Sequence, residues 1–378
     1  MGKTDGMRNV VKINTSKITS VMETMLRLNR IPFFIGMPGI GKTYAVKEHA
    51  ERAATEQKKN FVPNPTYDDW NDTNYCFSTI ISSTIEELDV NGAIIVRDTA
   101  TGKVTSFVAS EMFPAQGTGI IFLDEFPNGR ESVQNAFQHI LYEHKVGNRR
   151  ISPDIMFVLA GNRPDDNCAT FNIPSALRNR VGWFEIIPDN LDVWSEKMGK
   201  KGNPISHELI GFLKSPLGEK FVDNFNPKSD QYAYVTRRTL HMASDVIDAI
   251  GDKKERAMLI AGFLGTDFSS EFDAFLKLSE KVELKTLIDK PELINNYIND
   301  IGVLYSICTS LVSHVKDEAT AEQVFNVMEA MEAKEYGAFV FKSLMLRMKE
   351  STFIKYITSC KSGQKVLSQY KDIIKSGD

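Results

Sequence analysis

The 378-residue chain is poor in the features that mark several functional classes. It has four cysteines, Cys76, Cys168, Cys308 and Cys360, far apart and with no CxxC pair, so neither a zinc knuckle nor a disulfide framework is indicated and a reducing cytoplasm is expected. No apolar run approaches the ~18 residues of a membrane span. The N-terminal stretch has no secretory apolar segment, and Gly6 stands where a myristoylation signal wants Ser or Thr. There is no charge excess either: 45 Lys and Arg against 49 Asp and Glu leave −4, which gives no global electrostatic footprint for nucleic acid or an acidic membrane. Internal repeats and low-complexity segments are missing too. What remains, 42% hydrophobic and 25% charged, is the composition of a soluble globular protein, and the length implies two domains or three.

Hydrophobic spacing divides the chain. In residues 16–29, Ile18, Val21, Met22, Met25, Leu26 and Leu28 sit at mostly helical spacing, and the apolar run 31–35 that follows predicts a strand, with Pro32 tolerable at its start. From Thr43, Ala45, Val46, His49, Ala50 and Ala53 line one helical face, completing strand, Gly-rich loop and helix. Further strands are predicted over 75–81, 119–123, 155–160 and 183–187. The near-continuous apolar character of 119–123 and 155–160 suits a parallel sheet buried on both faces. Residues 93–96 and 104–108 flank Asp98 to Lys103 as a hairpin. Beyond about Asn190 only helices are predicted, punctuated by Pro204, Pro216, Pro227, Gly251 and Pro291. There Leu293, Tyr297, Ile301, Leu304, Cys308 and Leu311 recur four and three apart over less than three heptads, which predicts a bundle core rather than a coiled-coil seam.

The chemistry concentrates at strand ends. Gly36-Met37-Pro38-Gly39-Ile40-Gly41-Lys42-Thr43 fits GxxxxGK[ST] between a strand and a helix. The glycines let backbone N–H groups curl around phosphate oxygens at a helix N-terminus. Lys42 would reach the β- and γ-phosphates, and Thr43 would ligate magnesium through its hydroxyl. A second strand ends in Leu123-Asp124-Glu125, where Asp124 would hold magnesium and Glu125 would polarise the attacking water. Alone, such acids read equally as caps of the next helix, but behind a phosphate loop they stand where ligands bind in such sheets. Asn162 ends a third strand; it is either a turn residue or an uncharged amide that holds the lytic water beside the γ-phosphate. Arg178 and Arg180 precede the last strand, and Arg237 and Arg238 open a later helix. They are either solvated or complete a site too anionic for one lysine.

This constellation resembles the AAA+ ATPases, and within them the MoxR family. The carrying segments are GMPGIGKT, IIFLDE, LAGN at Asn162, IPSALRNRV and TRRTL, and the likeness covers about residues 16–275. It implies an α/β fold: a P-loop NTPase parallel sheet core over residues 1–189 with β-hairpin inserts around 98–103 and 145–151. An all-α lid (190–275) and a helical C-terminal extension (276–378) would follow. By position the resemblance makes Arg180 the arginine finger, with Arg178 as rival. It makes Arg238 the sensor-two residue, with Arg237 in the place of the family's proline. Implied cofactors are ATP and Mg2+. Implied partners are further copies in a ring, usually a hexamer, and a protein substrate or adaptor, in relatives often one with a von Willebrand factor A domain. A remodelling ATPase is the leading expectation. The alternatives are a nucleotide-gated scaffold and a DNA or RNA motor whose hairpins line a pore with Lys103, Lys145, Arg149 and Arg150. No membrane partner is expected.

Overall fold

Strands that are apolar at nearly every position need cover on both faces, and the first half of the chain supplies it. The computed structural model describes residues 10–163, 166, 173–200, 202, 204–226, 229, 231–280 and 282–375. Gly6, Cys168 and Pro227 lie outside the described residues. The chain forms two units, Met1–Asp189 with Asn226–Ser229, and Asn190–Phe225 with Asp230–Asp378.

In chain order the first unit runs β1 (Val11–Asn14), α1 (Ile18–Arg27), β2 (Ile31–Gly36), α2 (Lys42–Glu56), β3 (Asn60–Pro63), β4 (Asn74–Ile81) and α3 (Glu87–Asn91). The hairpin β5 (Ala93–Thr99) and β6 (Gly102–Val108), β7 (Thr118–Asp124) and α4 (Glu131–Glu143) come next. The short hairpin β8 (Lys145–Val146) and β9 (Arg149–Arg150), β10 (Ile155–Gly161), α5 (Ser175–Arg178) and β11 (Val181–Ile187) complete it. Seven strands make one parallel sheet in the order β1-β11-β2-β10-β7-β4-β3. Side chains alternate between its faces. Phe33, Ile35, Ile121, Leu123 and Leu159 pack with Phe137 and Ile140 of α4. Phe34, Phe122 and Val158 pack with Met22 of α1 and with Val46 and Ala50 of α2.

The expected core strands and both expected hairpins are present. Two further strands are not in the sequence expectation. β1 and β3 are four-residue edge strands, and each needs only one neighbour, β11 and β4 respectively. VKIN alternates over only four residues and NFVP does not alternate, so neither stands out as a strand, and Pro63 is tolerable because it ends an edge strand.

The second unit contains α6 (Leu191–Lys200), α7 (His207–Lys214), α8 (Arg237–Ala249), α9 (Lys253–Leu264), α10 (Thr266–Glu280), α11 (Leu284–Asp289), α12 (Ile301–His314), α13 (Glu318–Ala330), α14 (Lys334–Arg347), α15 (Glu350–Ser359) and α16 (Lys361–Lys375). Polar caps set several starts. Thr236 and Thr239 exchange bonds at the head of α8, Asp252 accepts from Glu255 N at 2.8 Å, and Asp300 accepts from Val303 N at 3.1 Å. One core runs through the whole unit, from Leu209, Phe212 and Phe268 to Val324, Phe341 and Val366. The boundary expected at 275/276 falls inside α10, and Ser306 Oγ of α12 donates to Phe275 O at 2.8 Å. The two expected helical parts therefore share one interior. Residues 293–311 are not one helix, since a 3₁₀ turn over Pro291–Tyr297 ends before the Asp300 cap. Leu304, Cys308 and Leu311 are buried in the bundle as expected, while Ile301 is exposed. No helix among the described residues is long and apolar enough to cross a membrane.

One buried base makes this unit acid-sensitive. A ring nitrogen of His207 lies 2.8 Å from Ser313 Oγ, and burial, reinforced by the Arg347 charge, pushes the imidazole pKa down to about 3. An unfolded histidine takes up its proton near pH 6.5, whereas the folded one stays neutral until far lower. Its stabilising contribution is thus complete above pH 6.5 and is lost as pH falls toward 3. Between pH 7 and pH 5 the expected loss is about 2 kcal/mol from this residue. Urea unfolding of wild type and His207→Gln at both pH values should show a smaller pH dependence in the variant, whatever its absolute stability.

Candidate nucleotide site

The site is built where β2, β10 and β7, neighbours in the sheet, reach their C-terminal ends. The chain leaves β2 at Gly36 and enters α2 at Lys42 through Gly41, whose φ of 100° is a conformation that side chains resist. Lys42 is buried, and its Nζ donates to Gly36 O (2.7 Å), Met37 O (3.0 Å) and Asn162 Oδ1 (3.2 Å). Thr43 Oγ1 donates to Asp124 Oδ2 at 2.7 Å, and the other Asp124 oxygen accepts from Glu125 N at 2.9 Å. The loop from Gly36 through Pro38, Gly39 and Ile40 to Thr43, the Asp124-Glu125 pair and Asn162 are thus brought to one edge of the sheet.

Packing fixes the orientation of Glu125. Its backbone is left-handed (φ 51°, ψ 32°), an uncommon state for a residue with a side chain, and the next two residues, Phe126 and Pro127, are buried. The Phe126 ring meets Phe33 and Phe137 edge-on at 5.8 and 6.0 Å. A side chain at Gly161 would come within 2.3 Å of Pro127 Cδ, so glycine lets the end of β10, and Asn162 with it, lie against this turn.

Four residues at or beside this edge were not foreseen. Ser83, just past β4, donates through Oγ to Glu125 Oε2 at 2.7 Å. Its signal in the sequence is only its place after a strand end. Arg163 follows Asn162 and grips Asp166 through Nη2 to Oδ1 at 2.7 Å, with Glu185 Oε1 3.6 Å from Nη1. The hydrogen bonds that Arg163 donates to the Asp166 carboxylate raise the Arg163 pKa, and the clamp ties the residue beside Asn162 to β11.

The arginines differ in their surroundings. Parallel register sets Val181 beside Ile31 and Ile186 beside Gly36, so Arg180 stands at the opposite end of the sheet from the phosphate loop. Five residue rises separate those levels, roughly 16 Å, beyond the reach of one side chain. The exposed Arg180 guanidinium lies 4.2 Å from the centroid of the Tyr142 ring. Arg178 Nε instead donates to Ile173 O at 2.9 Å. In the helical unit Arg237 is buried, 3.2 Å from Asp223 Oδ2 and 4.9 Å from the Trp194 ring centroid, while Arg238 is exposed. Of the basic hairpin residues, Lys145 is paired with Glu143, and Arg149 donates to Ser110 O and Phe113 O; Lys103 and Arg150 are exposed.

A parallel sheet with a phosphate loop after β2, acids after β7 and an amide after β10 is the P-loop α/β fold of the AAA+ class. Residues 32–188 match the family described as "ATPase family associated with various cellular activities (AAA)". The chain is similar to the ORC2 protein of Aeropyrum pernix, solved as ADPNP-ADP complexes (14% identity over 90% of this chain and 88% of that one, TM-score 0.36). It is similar to a RuvB variant of Thermotoga maritima (14% identity over 82% and 83%, TM-score 0.33). A third similar structure is NtrX of Brucella abortus in complex with ATP (16% identity over 90% and 69%, TM-score 0.32). No curated protein matches the chain.

Proposed function

We propose that this chain is a MoxR-like AAA+ ATPase that hydrolyses ATP at subunit interfaces of a ring, hexameric by resemblance, to remodel or activate a partner protein. The carrying observation is the convergence of Lys42 on Asn162 and of Thr43 on Asp124 at one sheet edge. The MoxR reading is supported by the motif segments and by hairpins β5–β6 and β8–β9 at the places the resemblance assigns to inserts. A partner with a von Willebrand factor A domain and a cytoplasmic setting belong to the same reading.

In this mechanism the backbone N–H groups of Gly36, Met37, Gly39, Ile40 and Gly41 curl around the phosphates, Pro38, which has no N–H, only shapes the loop, and Lys42 neutralises the β- and γ-phosphates. Magnesium fits the donor set, since the Thr43 hydroxyl and the Asp124 carboxylate are hard oxygens 2.7 Å apart, and this ion takes few protein ligands beside phosphates and water. When bound, it would neutralise charge on the phosphates. Glu125 takes a proton from the attacking water, and Asn162 positions that water without adding negative charge. Arg180, a sheet's length from its own loop, is suited to a neighbour's γ-phosphate as the finger in trans. Arg238, free of the Asp223 pairing that occupies Arg237, is the sensor-two residue. The helical unit, whose parts share one interior, would act as the lid, with its C-terminal helices meeting a partner.

Mixing subunits tests the arrangement. Arg180→Ala keeps its own loop, and Lys42→Ala keeps its finger, so neither alone should turn over ATP while mixed rings should recover activity. Mixed assemblies that form and stay inactive would remove the finger from Arg180.

A further inference from the structure

We infer that Tyr142 is a positioning residue for Arg180, holding the guanidinium flat against its ring and presenting it to the nucleotide of a neighbouring subunit. The inference rests on the reading of Arg180 as the finger in trans. Tyr142 lies in the last turn of α4 and is 66% exposed, so the core does not require an aromatic side chain there. At 4.2 Å from the ring centroid, the Arg180 guanidinium lies over the ring within cation–π range. Among the described residues this guanidinium makes no hydrogen bond or ion pair.

The type of contact matters. A carboxylate partner would neutralise the guanidinium and consume its N–H donors, which a phosphate needs. A ring engages only the face of the planar group and leaves the donors on its edge directed outward. Arg178 contrasts with this, since it spends Nε on the Ile173 carbonyl. Arginine also loses substantial rotamer entropy when fixed, and a stacked ring bears part of that cost before the neighbour's phosphate arrives.

The test uses donor subunits carrying Lys42→Ala, which can only supply a finger, and recipient subunits carrying Arg180→Ala, which can only receive one. Adding Tyr142→Leu to the donor should lower the recovered kcat about two- to five-fold with KM for ATP unchanged, and Tyr142→Phe should restore it. Ring formation is measured by native mass spectrometry on the same mixtures. If recovery is equally strong with Tyr142→Leu, or if Tyr142→Phe fails as badly as Tyr142→Leu, stacking does not position Arg180 and the inference falls alone. If mixed rings form and even the parent pair recovers nothing, the reading of Arg180 falls and takes the inference with it.

Discussion

Lys42→Ala is expected to lower ATP affinity by at least about 100-fold while leaving the chain folded. Each hydrogen bond to a charged partner contributes about 1.5–3 kcal/mol, and a lysine bridging two phosphates makes at least two of them. The structure adds a reason why substitution by arginine should not rescue binding. Lys42 Nζ is a compact charge enclosed by Gly36 O, Met37 O and Asn162 Oδ1, all within 3.2 Å, and a planar guanidinium does not fit that space. Removing the ammonium also removes a buried charge that is costly to desolvate, so the effect on stability should be small beside the effect on binding. Calorimetric titration with ATP, paired with thermal unfolding in the absence of nucleotide, separates the two. Retention of wild-type affinity would mean that the loop does not bind phosphates.

The legible part of the site is the part whose chemistry is local in the chain. The phosphate loop is eight consecutive residues, and Asp124-Glu125 is a dipeptide after an apolar run, so spacing and flanking elements sufficed to find both. Asn162 was found as a polar strand end, but its value comes from the sheet order β2-β10-β7, which places it between the loop and the acids and which periodicity does not encode. Ser83 on Glu125, Glu185 beside Arg163 and the Tyr142 ring under Arg180 are contacts between distant positions brought together by the fold, and nothing in their neighbours announces them. The arginine pair at 237–238 shows the same limit. Both residues begin one helix, and only the approach of Asp223 and Trp194 distinguishes the buried one from the exposed one. In the helical unit, Pro and Gly mark where helices stop but not which helices share an interior, so a division at 275/276 could be drawn through α10.

Glu125→Gln is expected to lower kcat by about 100- to 1000-fold, the range assigned to a positioned general base, while ATP affinity stays within about three-fold. The amide is nearly isosteric with the carboxylate, tolerates the same left-handed backbone, and still offers an oxygen to the Ser83 hydroxyl 2.7 Å away. What it cannot do is take a proton from water. Glu125 does not hold the loop or pair with Lys42, so its charge is not needed for phosphate binding, and losing a negative charge beside a triphosphate favours binding if anything. Single-turnover hydrolysis and nucleotide titration on the assembled protein should therefore separate, with chemistry lost and binding kept, the reverse of the pattern for Lys42→Ala. Unchanged turnover would remove Glu125 from water activation and favour a scaffold in which assembly, rather than hydrolysis, is the output. If turnover is lost and ATP retained, the variant remains in its ATP-bound form, and a protein partner of the remodelling cycle should accumulate on it and co-purify.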